Sequence, residues 1–150
     1  MISKGYTVFR VEARYLREHG RNPGMLASQN EVDALIDWLL AAPLDHKLAQ
    51  LHSQNRELLP SGYPDHELLV GVDQALNVGA LEFYDDRGNV VTLGPPESRT
   101  DVAYSISGHR TEFPPHCEVS TDLIRQAVKE FCSSGGMRPT CVDWQVPEIW

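Results

Sequence analysis

The sequence predicts an α+β fold, in which a mostly antiparallel sheet of six or seven strands carries two main helices packed on one face. Most of the chain consists of short apolar stretches that follow one another and are separated by turn residues, and such connections favour antiparallel pairing. Two other stretches carry apolar residues at the spacing of one helical face. A chain of 150 residues fits a single domain, residues 1–150, with an ordinary hydrophobic core.

The first third of the chain predicts one strand and one helix. Residues 7–15 alternate between apolar and charged side chains, which indicates a strand with one buried face. Residues 20–24 form a loop because they are turn formers. Ser28 and Glu31 have the spacing of a capping box, and the apolar stripe behind them predicts a core-facing helix that ends before Pro43.

The middle of the chain predicts five strands: residues 47–52, 68–73, 78–85, 90–93 and 102–107. Loops that contain proline and glycine separate most of them. The strand at 68–73 is apolar on both faces, as is typical of a central strand. Gly71 and Gly79 lack the spacing of a phosphate-binding loop, and close packing between strands explains them better.

The last third contains the clearest helix. Residues 123–132 place apolar side chains on one helical face, and Ser120 can cap the first turn. The glycines at 135–136 supply the positive φ angles that end a helix. Beyond them, residues 140–144 alternate and predict a short strand, on which Trp144 faces the core.

The net charge of −8 arises entirely in the second part of the chain. Residues 1–60 contain seven basic and seven acidic side chains, whereas residues 61–150 contain six basic and fourteen acidic ones. This argues against binding to nucleic acid, because phosphates need basic partners. It favours a partner protein with a basic surface, although the same charge also serves solubility.

The cellular location is predicted from three features. The N-terminal residues lack the apolar core of a signal peptide, and no apolar run is long enough to span a membrane. The cysteines, Cys117, Cys132 and Cys141, are odd in number and have no C-x-x-C spacing, which indicates free thiols. We therefore expect a cytoplasmic protein that does not bind membranes.

Residues that could support catalysis occur without a recognised arrangement. His116 and Cys117 are adjacent, but a catalytic thiol and its base meet in space rather than in sequence. The histidines form no helical pair and no set with zinc spacing, so we expect no cofactor and no metal. The alternative is a small enzyme or ligand-binding domain that uses His109, His116 and nearby carboxylates.

Six carboxylates fall between residues 65 and 86, near predicted strand ends and turns: Asp65, Glu67, Asp73, Glu82, Asp85 and Asp86. They form either a solvated sheet edge or an acidic surface for a basic partner. A glycosidase pair is less favoured because no array of sugar-binding aromatic residues accompanies them. Tyr84 shares a strand face with Glu82, and Trp150 is the last residue. Because both types are enriched at binding hot spots, we add them to the candidate partner-binding residues.

Two stretches of the second half resemble a known family. Their shared motifs are TEFP at residues 111–114, Val119, Ala127 and Phe131 in the helix, the two glycines, R-P-T-C-V-x-W at 138–144, L-V-G-V-D at 69–73 and G-A-L at 79–81. These motifs resemble the first-numbered family of immunity proteins from bacterial polymorphic toxin systems. Members of that family usually accompany toxins with a deaminase-type domain.

The resemblance implies a protein that binds and neutralises one cognate toxin and has no catalytic residues of its own. The toxin would be deaminase-like or would otherwise act on nucleic acid, and the acidic surface would occlude its active site or substrate groove. An immunity-like domain that has lost its toxin is a further possibility.

Overall fold

The computed structural model describes residues 9–147 and contains ten strands and two α-helices in that range. The strands are β1 (Val11–Arg14), β2 (Gly24–Leu26), β3 (Leu48–Ser53), β4 (Glu67–Asp73), β5 (Val78–Asp85), β6 (Gly88–Thr92), β7 (Val102–Ile106), β8 (His109–Phe113), β9 (Val119–Ser120) and β10 (Trp144–Gln145), and the helices are α1 (Gln29–Ala41) and α2 (Thr121–Ser133). Two short 3-10 helices occupy Arg17–Gly20 and Leu44–His46. None of the helices described is long and apolar enough to cross a membrane.

Eight of these strands form one sheet, in the order β10-β6-β5-β4-β3-β1-β2, with β9 paired to the start of β5. Strands β7 and β8 form a separate hairpin. Every strand pair in the described part of the chain is antiparallel. The predicted α+β class is therefore confirmed.

Both helices cover one face of the sheet and bury the larger core there. The side chain of Ser28 accepts a hydrogen bond from the backbone N–H of Glu31 at 3.2 Å, and Ser120 caps α2 in the same way through Leu123 at 3.3 Å. Both caps were predicted, because each satisfies an N–H that the helix itself leaves free. The apolar stripes of α1 and α2 point toward strands β4 and β5, which separates this face from solvent.

The β7–β8 hairpin covers part of the opposite face and forms a smaller core with Leu48, Leu69, Ala80 and Val91. A Cβ atom on Gly71 would lie 2.5 Å from the ring of Tyr104, so glycine lets this ring rest directly on β4. A Cβ atom on Gly79 would lie 2.9 Å from the side chain of Ile124 in α2. Close packing therefore explains Gly71 and Gly79, as predicted.

An ion pair with a buried carboxylate fixes the hairpin and the loop before it to the sheet. Glu118, which is almost fully buried, accepts hydrogen bonds from the guanidinium of Arg99 at 2.7 and 2.8 Å. The hydroxyl of Tyr104 donates to the same carboxylate. These charge-assisted bonds compensate for removing Glu118 from water.

The strand predicted at residues 140–144 is wrong, because only Trp144 and Gln145 pair with β6. The Glu130 carboxylate accepts hydrogen bonds from the backbone N–H groups of Thr140 and Cys141 at 2.8 and 3.2 Å, which holds this segment as a loop against α2. Val142 is nevertheless buried, as the alternation suggested.

Other differences concern short or polar strands. Strands β2, β8 and β9 were not predicted, because β2 and β9 have only three and two residues and β8 is polar at most positions. Val119 lies in β9 rather than at the start of the helix. The first strand begins at Val11, and the predicted strand residues 7 and 8 lie outside the described range.

Candidate partner-binding face

The sheet face opposite the helices is only partly covered, and a row of side chains crosses it from strand to strand. Strand register places Met25 beside Glu12, Glu12 beside His52, Glu67 beside Tyr84, and Tyr84 beside Asn89. The pairing of Leu51 with Leu68 brings His52 next to Glu67. The open stripe, as we name it, comprises these six residues: Met25, Glu12, His52, Glu67, Tyr84 and Asn89.

A second row runs beside the open stripe and passes under the edge of the hairpin. Glu82 lies in this row between Leu69 and Val91, which both belong to the smaller core. The carboxyl of Glu82 accepts a hydrogen bond from the side-chain amide of Asn89 at 3.1 Å. Glu82 thus lies half-buried at the border between the apolar core under the hairpin and the open stripe.

Burial and the nearby charge of Glu67 raise the pKa of Glu82 to about 7. Both effects disfavour the charged form, because a carboxylate loses hydration in an apolar setting and is repelled by a like charge. Glu82 is therefore held near half-protonation at neutral pH, on a face that is otherwise polar.

The carboxylates of this face outnumber its cations. Glu12 accepts hydrogen bonds from Arg14 at 3.3 Å and from Gln54 at 3.0 Å. Glu67 accepts one from Gln50 at 2.7 Å, and its Oε1 lies 3.5 Å from Nε2 of His52. With Glu82, the strands of this face carry three carboxylates. Arg14 contacts Glu12 directly, and Arg10 is linked to Glu12 through Gln54, whereas no lysine or arginine within residues 9–147 pairs with Glu67 or Glu82. The uncompensated negative charge of the face therefore lies at Glu67 and Glu82.

A groove of about 700 Å³ lies at one end of the open stripe. Its floor is formed by strand residues that include Glu12, Arg14 and His52, and one wall is the loop of residues 54–64, which contributes Arg56. Both arginines are paired with carboxylates, Arg14 with Glu12 and Arg56 with Asp65. Leu58 and Tyr63 line this wall and are 63% and 71% exposed. The groove therefore combines a charged floor with an apolar and aromatic rim, as is common at binding sites.

The loop that forms the wall is fixed to the body of the protein. Arg56 pairs with Asp65 at 2.9 Å and donates to the carbonyl of Gly136 at 2.9 Å. The backbone N–H of Ser53 donates to Nε2 of His66 at 2.8 Å, so Nδ1 carries the proton and donates to Asp65 at 3.0 Å. This network gives the loop a defined conformation before any partner binds.

The same network shifts the pKa values of Asp65 and His66. Burial alone would raise the pKa of Asp65, but the hydrogen bonds from Arg56 and His66 outweigh it and lower that pKa. Burial lowers the pKa of His66, against the opposing effect of Asp65. An ionised Asp65 beside a neutral His66 is therefore the stable arrangement at neutral pH.

The structure brings three of the predicted partner-binding residues together and separates the others. Glu67, Glu82 and Tyr84 share the open face, and Tyr84 is 52% exposed. Asp65 lies at the groove end of the same side, where it is engaged with the loop network. Trp150 lies outside the described residues.

The remaining three carboxylates serve turns. Asp73, at the other end of β4, accepts from the backbone N–H of Ala75 at 2.9 Å and pairs with Arg99 at 3.1 Å. Asp85 is buried and accepts from the backbone N–H of Arg87 at 3.0 Å. Asp86 is exposed in the β5–β6 turn. Their contact with a partner stays a prediction.

Glu12, Leu58 and Tyr63 were not among the residues that the sequence predicted for this face. One signal was present for Glu12, because it alternates with Val11 and Ala13 and must therefore point away from the helices. Nothing in the sequence indicated that the loop of residues 54–64 folds over the strand that contains Glu12.

The residues considered for catalysis lie apart from the groove. His109 is exposed at the start of β8, whereas His116 follows the other end of that strand, with Nδ1 3.0 Å from the carbonyl of Ser98. Burial, assisted by the charge of Glu118, raises the pKa of Cys117 to about 12, so its thiol is protonated at neutral pH. Within residues 9–147, no three or more His, Cys, Asp or Glu side chains are grouped to hold a metal ion.

Comparison with protein families gives a match over most of the chain. A family model described as Immunity protein Imm1 matches residues 20–146, which is most of the chain. The matched range includes the groove loop, β4, β5 and α2, and begins after β1. Comparison with curated proteins gives no match.

Proposed function

This chain belongs to the Imm1 family of immunity proteins, and we propose that it binds one cognate toxin domain and neutralises it by occluding the toxin's active site or substrate groove. The family match over residues 20–146 is the observation that carries this proposal. The resemblance seen in the sequence is thereby confirmed for the family, and an immunity protein implies a toxin as its protein partner.

The toxin that we propose is deaminase-like or otherwise acts on nucleic acid. A domain that binds nucleic acid needs a basic groove that tolerates phosphates. The net charge of −8 and the carboxylates of the open face suit such a groove, because they offer negative charge where the substrate would offer phosphates. If the toxin is a zinc deaminase, covering its base pocket is sufficient and no contact with the zinc ion is needed.

We place the centre of the interface at Glu67, Glu82 and Tyr84, which share one face of the sheet. A stable complex of this kind buries on the order of 1,600 Å² in total, which exceeds this one patch. The interface would therefore extend along the open stripe toward the groove. A sheet face supported by two helices on its other side changes little on binding, which suits a rigid plug.

The proposed role requires binding and no chemical step by this protein. Its support is indirect: Cys117 is buried with a raised pKa, and His109 and His116 lie away from the groove. We also propose that the protein acts in the cytoplasm of the producing cell, where free thiols such as Cys117 and Cys132 are stable.

Co-expression with the toxin domain encoded beside this protein tests the proposal. We expect the pair to restore growth that the toxin alone abolishes, and the two proteins to co-purify. A toxin of the same class from an unrelated system serves as the control and should remain lethal. Lethality of the cognate toxin despite full expression of this protein would refute the proposed function.

A further inference from the structure

We infer that the groove beside residues 54–64 and the adjoining open stripe bind a basic segment of the toxin, with one Lys or Arg side chain between Glu67 and Glu82 and an apolar side chain against Leu58 and Tyr63. This inference rests on the proposed function, since it specifies how the toxin is held.

The geometry around Glu67 and Glu82 favours a cation. The two residues lie on neighbouring strands and on the same face of the sheet. They are diagonal neighbours, because Glu67 pairs with Tyr84 and Glu82 pairs with Leu69, which is two residues further along β4. Within residues 9–147, Oε2 of Glu67 and Oε1 of Glu82 have no hydrogen-bond partner. A single ammonium or guanidinium group can bind one free oxygen of each residue.

In the free protein the carboxylates of Glu67 and Glu82 repel each other, and a bound cation would reduce this repulsion. Glu67 is the charged neighbour that acts on Glu82, while β6 contributes only the neutral amide of Asn89 and β3 contributes Gln50 and His52, both bonded to Glu67. A cation placed between the two carboxyls would favour ionisation of Glu82 and release its proton. Binding should therefore be coupled to proton release near neutral pH.

The rim of the groove favours an apolar contact beside the charged one. Leu58 and Tyr63 are exposed on a loop that the Arg56–Asp65–His66 network already fixes. A preformed loop loses little conformational entropy on binding, which strengthens the contact. The aliphatic part of a neighbouring Lys or Arg side chain can also pack along such a rim while its charged end reaches the carboxylates.

Charge also decides between possible occupants of this face. Nucleic acid would bring its phosphates toward Glu67 and Glu82, which no lysine or arginine of the described residues neutralises, and is disfavoured. A second copy of this chain, docked through the same face by two-fold symmetry, would oppose identical carboxylates. A basic protein segment is the occupant that complements the face.

Isothermal titration of the full chain with its cognate toxin domain tests this inference. The variants are Glu67→Gln, Glu82→Gln and Tyr63→Ala, and the matched control is Glu112→Gln, which alters an exposed carboxylate away from the groove. We expect each of the three variants to weaken binding about tenfold or more, and the control to bind as the wild type does. Thermal unfolding of every variant verifies that it is folded.

Repeating the titration at pH 7 in buffers with different ionisation enthalpies measures the protons released. The wild type should release a fraction of a proton that Glu82→Gln does not release. Wild-type affinity in Glu67→Gln and Glu82→Gln, with an intact wild-type complex, would overturn this inference and leave the proposed function standing. If the wild type itself fails to bind, both fall.

Discussion

Replacement of Glu82 by glutamine should stabilise the free protein at high pH. The folded protein raises the pKa of this carboxyl from 4.5 to about 7, so it retains a proton that the unfolded chain releases near pH 4.5. The wild type therefore loses stability as the pH rises between these two values, and the loss is complete above pH 7. Glutamine keeps the shape and the hydrogen bond with Asn89 but cannot ionise.

The rise in pKa corresponds to at most about 3 kcal/mol of unfolding free energy. Because Glu82 borders solvent and its surroundings can relax, we expect a gain of about 1–2 kcal/mol for Glu82→Gln at pH 8. The gain should disappear below about pH 4.5, where both states of the wild type are protonated.

Urea unfolding of both proteins, followed by tryptophan fluorescence from pH 4.5 to 8, measures this difference. The matched control is Glu12→Gln, which lies on the same face. This change replaces one of the two oxygens that accept from Arg14 and Gln54 by an amide NH2, and it removes the charge that pairs with Arg14. That variant should gain no stability at pH 8. A Glu82→Gln variant that is less stable than the wild type at pH 8, or a gain that does not depend on pH, would refute the reasoning.

Two further substitutions test the packing of the fold. Gly71→Ala places a Cβ atom 2.5 Å from the ring of Tyr104, so we expect the unfolding free energy measured in urea to fall by about 1–3 kcal/mol. The control Gly20→Ala should change stability little, because nothing lies within 4 Å of the added Cβ atom. Burial alone would raise the pKa of Glu130, but hydrogen bonds from the loop after α2 lower it, so Glu130→Gln should cost about 1–2 kcal/mol at pH 7. This cost should shrink as the pH falls through the folded-state pKa, and a cost that is unchanged at pH 3 would contradict the role of the carboxylate.

The parts of the fold that local signals determine were predictable from the sequence. The caps at Ser28 and Ser120, the glycines that end α2 and the apolar strand β4 each follow from side chains within a few residues. Strand β8 was not predictable, because its sequence His-Arg-Thr-Glu-Phe has little apolar alternation. Its strand conformation depends on pairing with β7.

Residues 140–144 show how tertiary contacts override a local pattern. Their alternation is that of a strand, but the Glu130 carboxylate occupies backbone N–H groups that a sheet would need. Val142 is buried all the same, because its apolar side chain faces the core in either conformation.

The candidate site was predictable only in part. The acidic composition of residues 65–86 indicated Glu67, Glu82 and Tyr84, and period-two alternation explains why the last two share a face. The groove depends on Glu12 and Tyr63, which are fifty-one positions apart in the sequence, and only strand register and the loop network bring them together. Asp65 was predicted to contact a partner, but in the structure it forms an ion pair with Arg56. No local sequence pattern indicates this pair.

The activity of the cognate toxin domain on its own substrate, measured in vitro with increasing amounts of this protein, tests the central claim most directly. We predict that activity falls in proportion to the protein added and is abolished at one equivalent, as expected for tight occlusion of the toxin. Full toxin activity in the presence of excess folded protein would contradict the proposed immunity function.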